Sequence, residues 1–239
     1  EEVYNGKVHG ENNHDHTLLD TLMKQFTDSL LHQHKLKPSA DDMAYLNKVL
    51  DEYLGKVPET FIYKGITYTP QTFAKNALHF NADDYIEITS YTHHPFYKPF
   101  VLEDKYNWSK DNYFNVPLSD FEQITDAALA KGYTVCWDGD VTEPGFQYEN
   151  GIAMLTYPIK DFVKERQGTY EDKTSELDHM MHIAGTARDK QNHKWYYVKN
   201  SWGDYTNALG GYLFMQDDYF KIKTMAIIVN KNAIPVAIR

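Results

Sequence analysis

His179 opens an alternating run, His179-Met180-Met181-His182-Ile183-Ala184-Gly185, and Asn200 closes another, Trp195-Tyr196-Tyr197-Val198-Lys199-Asn200. Ser201-Trp202-Gly203 follows at once, and a third short run starts at Gly210-Gly211-Tyr212. An imidazole takes and returns protons near neutral pH, and a side-chain amide oxygen fixes its tautomer and ring orientation. Beside a cysteine, such an imidazole stabilises the thiolate as an ion pair and makes it a strong nucleophile. These residue types point to acyl transfer by a cysteine nucleophile, with His179 as base and Asn200 as orienter. Trp202 is expected to cover the hydrogen bond between them and keep water from it.

Strands must position these groups. Side chains alternate along a strand, so Tyr196, Val198 and Asn200 share one face of their run. His179, Met181, Ile183 and Gly185 share a face of the other. Pairing the two runs in the right register could bring His179 and Asn200 together, with His182 then turned the opposite way. For the same reason His179-x-x-His182 is not read as a zinc motif, because residues three apart on a strand face opposite sides.

The nucleophile is harder to place. Cys136 is the one cysteine. A thiolate is favoured at a helix N-terminus, where free N–H groups and the dipole support negative charge. Cys136 instead follows a helix expected from a Ser119-x-x-Glu122 capping box to Gly132. Tyr133 to Trp137 then reads as a strand, and Cys136 as a buried, inert thiol.

The ordered set, Asp178-His179 on an apolar strand, an aromatic strand, Lys199-Asn200-Ser201-Trp202-Gly203, then Gly211-Tyr212, resembles the bleomycin hydrolase and aminopeptidase C family of papain-like cysteine peptidases. The likeness extends to Val57-Pro58-Glu59-Thr60-Phe61, Thr69-Pro70-Gln71-Thr72-Phe73, the helix-to-strand stretch ending Asp140-Val141, and a closing strand within 221–235. It covers roughly 57–235. It implies His179 and Asn200 as the catalytic His and Asn, with the catalytic Cys and an oxyanion-hole Gln lying N-terminal to Glu1. It further implies an aminopeptidase-like activity on peptides, no metal or organic cofactor, a helical insertion that serves oligomer contacts, and a cytoplasmic location, with periplasmic or secreted as the alternative. In the family the C-terminal end of the chain lies in the cleft and limits substrate entry. The ending Pro235-Val236-Ala237-Ile238-Arg239 departs from that pattern, so exopeptidase against endopeptidase stays open. The expectation is a complete protein that is a cysteine peptidase, and a 239-residue chain that is inactive without its missing N-terminal part.

Composition narrows the partners. The charge count gives a net −10, which argues against binding nucleic acid through a basic surface. No apolar run approaches the roughly 18 residues of a membrane span. The stretch 1–16 carries His9, His14 and His16 without the spacing of a strong metal motif. Helical apolar spacing covers 17–34, and Ser39-x-x-Asp42 caps a second helix ending at Gly55. Residues 1–56 are read as a helical hairpin insertion, and 57–239 as the C-terminal, His/Asn-bearing part of the catalytic domain. Within the latter, Phe61 to Thr69 reads as a hairpin around Lys64-Gly65, followed by a short helix from Thr69-Pro70. Tyr85 to Tyr91 reads as a strand broken by His93-His94-Pro95. Residues 95–117 read as loop, 152–157 as a strand and 160–173 as a surface crossing. The fold class is α+β: helices first, then an antiparallel, partly closed sheet. The rival reading is a peptidase-like module that only holds peptides or a partner. A carbohydrate hydrolase finds no carboxylate pair at the required separation.

Overall fold

The computed structural model describes residues 15–238. His9 and His14 lie outside that range. The chain divides into two compact units, up to Phe80 and from Asn81 onward.

In the first unit, α1 (Thr17–His32) and α2 (Ala40–Leu54) pack through Phe26 and Tyr45, whose rings lie 5.3 Å apart. Ser39 and Asp42 form a reciprocal capping box on α2. β1 (Phe61–Tyr63) and β2 (Ile66–Tyr68) form a hairpin. Its turn places Lys64 and Gly65 at φ 49° and 80°, the mirror-image turn that matches strand twist. α3 (Pro70–Asn76) is capped by Thr69 and Thr72, and its Phe73 packs edge-on against Phe61, Tyr63 and Tyr68.

The second unit is built on one ten-stranded sheet. Its strands are β3 (Tyr85–Thr89), β4 (Lys98–Val101), β5 (Asn112–Asn115), β6 (Val135–Gly139), β7 (Phe146–Gln147), β8 (Ile152–Ala153), β9 (His179–Arg188), β10 (Lys194–Lys199), β11 (Tyr212–Gln216) and β12 (Thr224–Asn230). The order is β4-β5-β3-β12-β6-β9-β10-β11-β8-β7. The expected antiparallel, partly closed sheet is corrected on two points. It is open, with β4 and β7 as its edges, and two of its pairs, β3 with β5 and β8 with β11, are parallel. α4 (Leu118–Ala130), α5 (Phe162–Glu171) and α6 (Asp217–Lys223) complete the unit. Phe121, Ile124, Trp137, Ile183, Tyr196, Val198 and Phe220 are fully buried in the core.

Three further readings change. The Ser119–Glu122 capping box is absent: the N-cap of α4 is Pro117, two residues earlier, and no side chain caps it. The 95–117 stretch contains β4 and β5, which pair with each other, β5 then joining the sheet along β3. The 160–173 crossing is a helix, capped by Asp161. Arg166 is buried there because its guanidinium donates to Ser90 O at 2.7 Å and Lys221 O at 2.8 Å.

Candidate active site

β9 lies between β6 and β10, and its first residue is His179. A bulge sets what His179 meets. Tyr197 pairs with Gly185, but Val198 pairs with Ile183, so Ala184 is an extra residue on β9. In an unbroken ladder from Tyr197–Gly185, Asn200 would fall opposite His182. The extra residue shifts it by one, onto the face of Met181 and His179. It also moves Gly185 to the Tyr197 side, away from the face it was expected to share with His179.

The imidazole Nε2 of His179 lies 2.8 Å from Asn200 Oδ1. The same oxygen accepts the Ser201 backbone N–H at 2.7 Å, which fixes the amide with its oxygen toward the ring. That oxygen only accepts, so Nε2 carries the proton and Nδ1 remains available. Asn200 is buried, and its Nδ2 finds no partner among the described residues. Trp202 sits 4.9 Å from the His179 ring and is itself held edge-on by Tyr148 at 4.8 Å. These three side chains are brought together.

The loop behind Asn200 is fixed by its own polar groups. Asn200 N donates to Gly211 O at 3.0 Å. Asn207 accepts from the N–H groups of Leu209 and Gly211 and donates to the carbonyls of Tyr148 and Tyr212. Gly211, at φ 79°, leaves no room for a side chain: a Cβ would come within 2.6 Å of Gly203 O. On the other side, Val141 N–H donates to Asp178 Oδ1, tying the Asp140-Val141 stretch to the residue before His179.

His182 and Cys136 face the opposite way. His182 Nε2 lies 2.5 Å from Thr134 Oγ1, on the exposed surface. Cys136 pairs across with His182. Burial, then the carboxylates of Asp138 and Glu87, pushes its thiol up to about 11.

Sequence reasoning missed a cavity of about 370 Å³ beside His179, with Glu87, Asp111, Asp138 and Asp178 in its wall. Asp138 is pushed up to about 7, by burial first and then by Asp104, Asp178 and Glu87. Burial also raises Glu87 and Asp178. These residues come from four strands or their ends, and no local pattern announces the grouping. A second groove, about 700 Å³, has Trp202, Tyr205 and Tyr148 in its wall.

A model described as the Peptidase C1-like family matches residues 38–239. Aminopeptidase G of Lactobacillus delbrueckii subsp. lactis is 27% identical over 171 residues, covering 68% of this chain and 39% of that protein. Aminopeptidase W of the same organism is 25% identical over 228 residues, covering 86% of this chain and 51% of that protein. Aminopeptidase C of Streptococcus thermophilus is 24% identical over 209 residues, covering 82% and 44%. The chain thus spans about half, or less, of the length of these relatives. The crystal structure of PepW from Lactobacillus rhamnosis HN001 superposes with a TM-score of 0.67 at 20% identity, covering 92% of this chain and 56% of that one. That likeness shows the fold.

Proposed function

The chain belongs to the peptidase C1-like family, and from that premise we propose that it carries the His–Asn part of a cysteine aminopeptidase site. The carrying observation is the His179 Nε2–Asn200 Oδ1 contact at 2.8 Å beneath Trp202. In this reading a cysteine outside these 239 residues loses its proton to His179 Nδ1 and attacks the substrate carbonyl. The resulting imidazolium returns the proton to the leaving amine as the C–N bond breaks, leaving a thioester. Water then gives a proton to Nδ1, attacks the thioester and frees the acid, and the thiol is restored. Asn200 holds the tautomer in which Nδ1, and not Nε2, faces the reaction.

Two observations support the finer parts. Cys136 lies on the face opposite His179 with its thiol held protonated, which favours a nucleophile from elsewhere. The acidic cavity that His179 borders at the start of its strand favours a cationic group, and a free α-ammonium is what an aminopeptidase must recognise. The aminopeptidase names of the relatives agree with that chemistry.

The test expresses the full reading frame and the 239-residue chain side by side on aminoacyl fluorogenic substrates, with and without a thiol-directed inactivator. The full protein is expected to turn over in a thiol-sensitive way, and the 239-residue chain to be inert. A full protein that binds peptides without thiol-sensitive turnover would sink the enzyme reading. Thiol-sensitive activity of the short chain that disappears in Cys136→Ala would sink the placement of the nucleophile.

A further inference from the structure

The strand-breaking His93-His94-Pro95 has a second partner that sequence spacing does not show. The turn after β3 and the residue two beyond β4 converge, placing His93, His94 and Glu103 with one ligand atom of each within 4.8 Å of the others. His94 Nε2 is 2.7 Å from Glu103 Oε1, and His93 Nε2 is 3.3 Å from Glu103 Oε2. We propose that these three side chains form a binding site for a late first-row divalent cation, with zinc as the fitting ion.

The donor chemistry selects the class of ion. Two imidazole nitrogens and a carboxylate suit zinc and its neighbours, whereas calcium and magnesium take oxygen ligands. With metal–ligand bonds of about 2.0–2.2 Å, tetrahedral ligand atoms lie roughly 3.3–3.5 Å apart. The two imidazoles meet different oxygens of Glu103, at 3.3 and 2.7 Å, so one carboxylate oxygen must turn toward both nitrogens, within a set whose ligand atoms already lie no more than 4.8 Å apart. The side chains of His93, His94 and Glu103 are 27%, 32% and 56% exposed, so an ion reaches them from solvent and a water completes the fourth position.

The surroundings hold the imidazoles in place. The buried amide of Asn115 donates to Tyr91 O and His94 O and accepts from Tyr91 N, clamping the turn. His94 stacks on Phe100 at 4.1 Å, and His93 stacks on Tyr170 at 5.1 Å. Tyr170 Oη–H reaches Glu103 O at 3.1 Å and Oε2 at 3.2 Å. Rings and carboxylate are thus oriented before an ion arrives, which lowers the entropy lost on binding.

Gln167 supplies a test that a purely structural cluster would not pass. Its Oε1 accepts from Thr92 N, so its Nε2 donates to His93 Nδ1 at 3.0 Å. Without metal, His93 therefore carries its proton on Nε2 and donates to Glu103. Binding needs the Nε2 lone pair, so that proton relocates through solvent to Nδ1 and the Gln167 amide must turn away. A carboxylate at 167 would accept the Nδ1–H and raise the basicity of the ligand.

The experiment titrates zinc chloride into the metal-stripped intact protein by calorimetry. His9, His14 and His16 are replaced by Ala throughout, so that the His-bearing N-terminal sequence adds no heat. One ion per chain is expected, with Kd below about 10 µM. Glu103→Gln and His94→Ala should each weaken binding by about 10-fold or more, and Gln167→Glu should tighten it by about 3-fold or more. Gln167→Glu removes no ligand, so it decides the question even where His94→Ala fails to fold. Absence of saturable binding, binding unchanged in Glu103→Gln, or binding weakened by Gln167→Glu would each overturn the site.

Discussion

The two faces of β9 present the same side chain in opposite circumstances. On one face His179 meets Asn200 Oδ1 at 2.8 Å, under an indole. On the other, His182 meets Thr134 Oγ1 at 2.5 Å in the open, with the chain's cysteine on the neighbouring strand. Proximity alone would favour the second pair, since it offers imidazole and thiol together. The surroundings reverse that ranking. Asn200 is locked by the Ser201 N–H and can hold only one imidazole tautomer, whereas a hydroxyl both donates and accepts and so selects none. The Cys136 thiol is held neutral by burial and by carboxylates, the opposite of what a nucleophile needs.

The largest effect that would break this contrast is on the turnover proposed for the complete protein. His179→Ala should lower kcat/KM by about 10⁴-fold or more, because no other group covers both proton transfers. His182→Ala should stay within about 2-fold of the parent, as expected of a surface substitution away from the site. Equal losses in two folded variants would erase the distinction between the faces. Asn200→Ala should fall between them, at roughly 10²–10⁴-fold, since packing against Trp202 keeps the ring oriented part of the time.

The thiol sharpens the comparison more gently. With Cys136 pushed up to about 11, its alkylation by iodoacetamide at pH 7.5 should run roughly 10²-fold slower in the folded chain than in urea. A rate matching the unfolded chain would mean that the far face does support a thiolate.

The smallest effect concerns stability. Asp138 titrates near 7 when folded and near 4 when unfolded. Its folded pKa is raised, so its favourable contribution is complete below about pH 4 and is lost as pH rises through about 7. Asp138→Asn should therefore match the parent near pH 4 and exceed it at pH 8 by roughly 1–4 kcal/mol. Chemical denaturation at the two pH values checks this, and a stabilisation equal at both would remove carboxylate repulsion as the cause.

Much of the first unit was legible because its signals are local. Ser39 and Asp42, Lys64-Gly65, and Thr69-Pro70 each act within a few residues, and each appears where its spacing put it. β4, β5 and α5 were not legible. The strands are short, β4 held by β5 and β5 by β3, and α5 buries Arg166 on carbonyls of Ser90 and Lys221 that no sequence window contains. The acidic cavity and the His93–His94–Glu103 cluster escaped for the same reason, being assembled by the sheet and not by spacing.

The sequence by itself determined which residue types stand at the ends of two alternating runs, and hence that a histidine and an asparagine could be set side by side. It did not determine which histidine. His179 and His182 lie on opposite faces of one strand, and a one-residue change of register exchanges them. Only the tertiary structure, by leaving Ala184 unpaired between Ile183 and Gly185, put Asn200 against His179. A strand's period of two is written locally, but its register is set by the partner strand and the core on which both must pack.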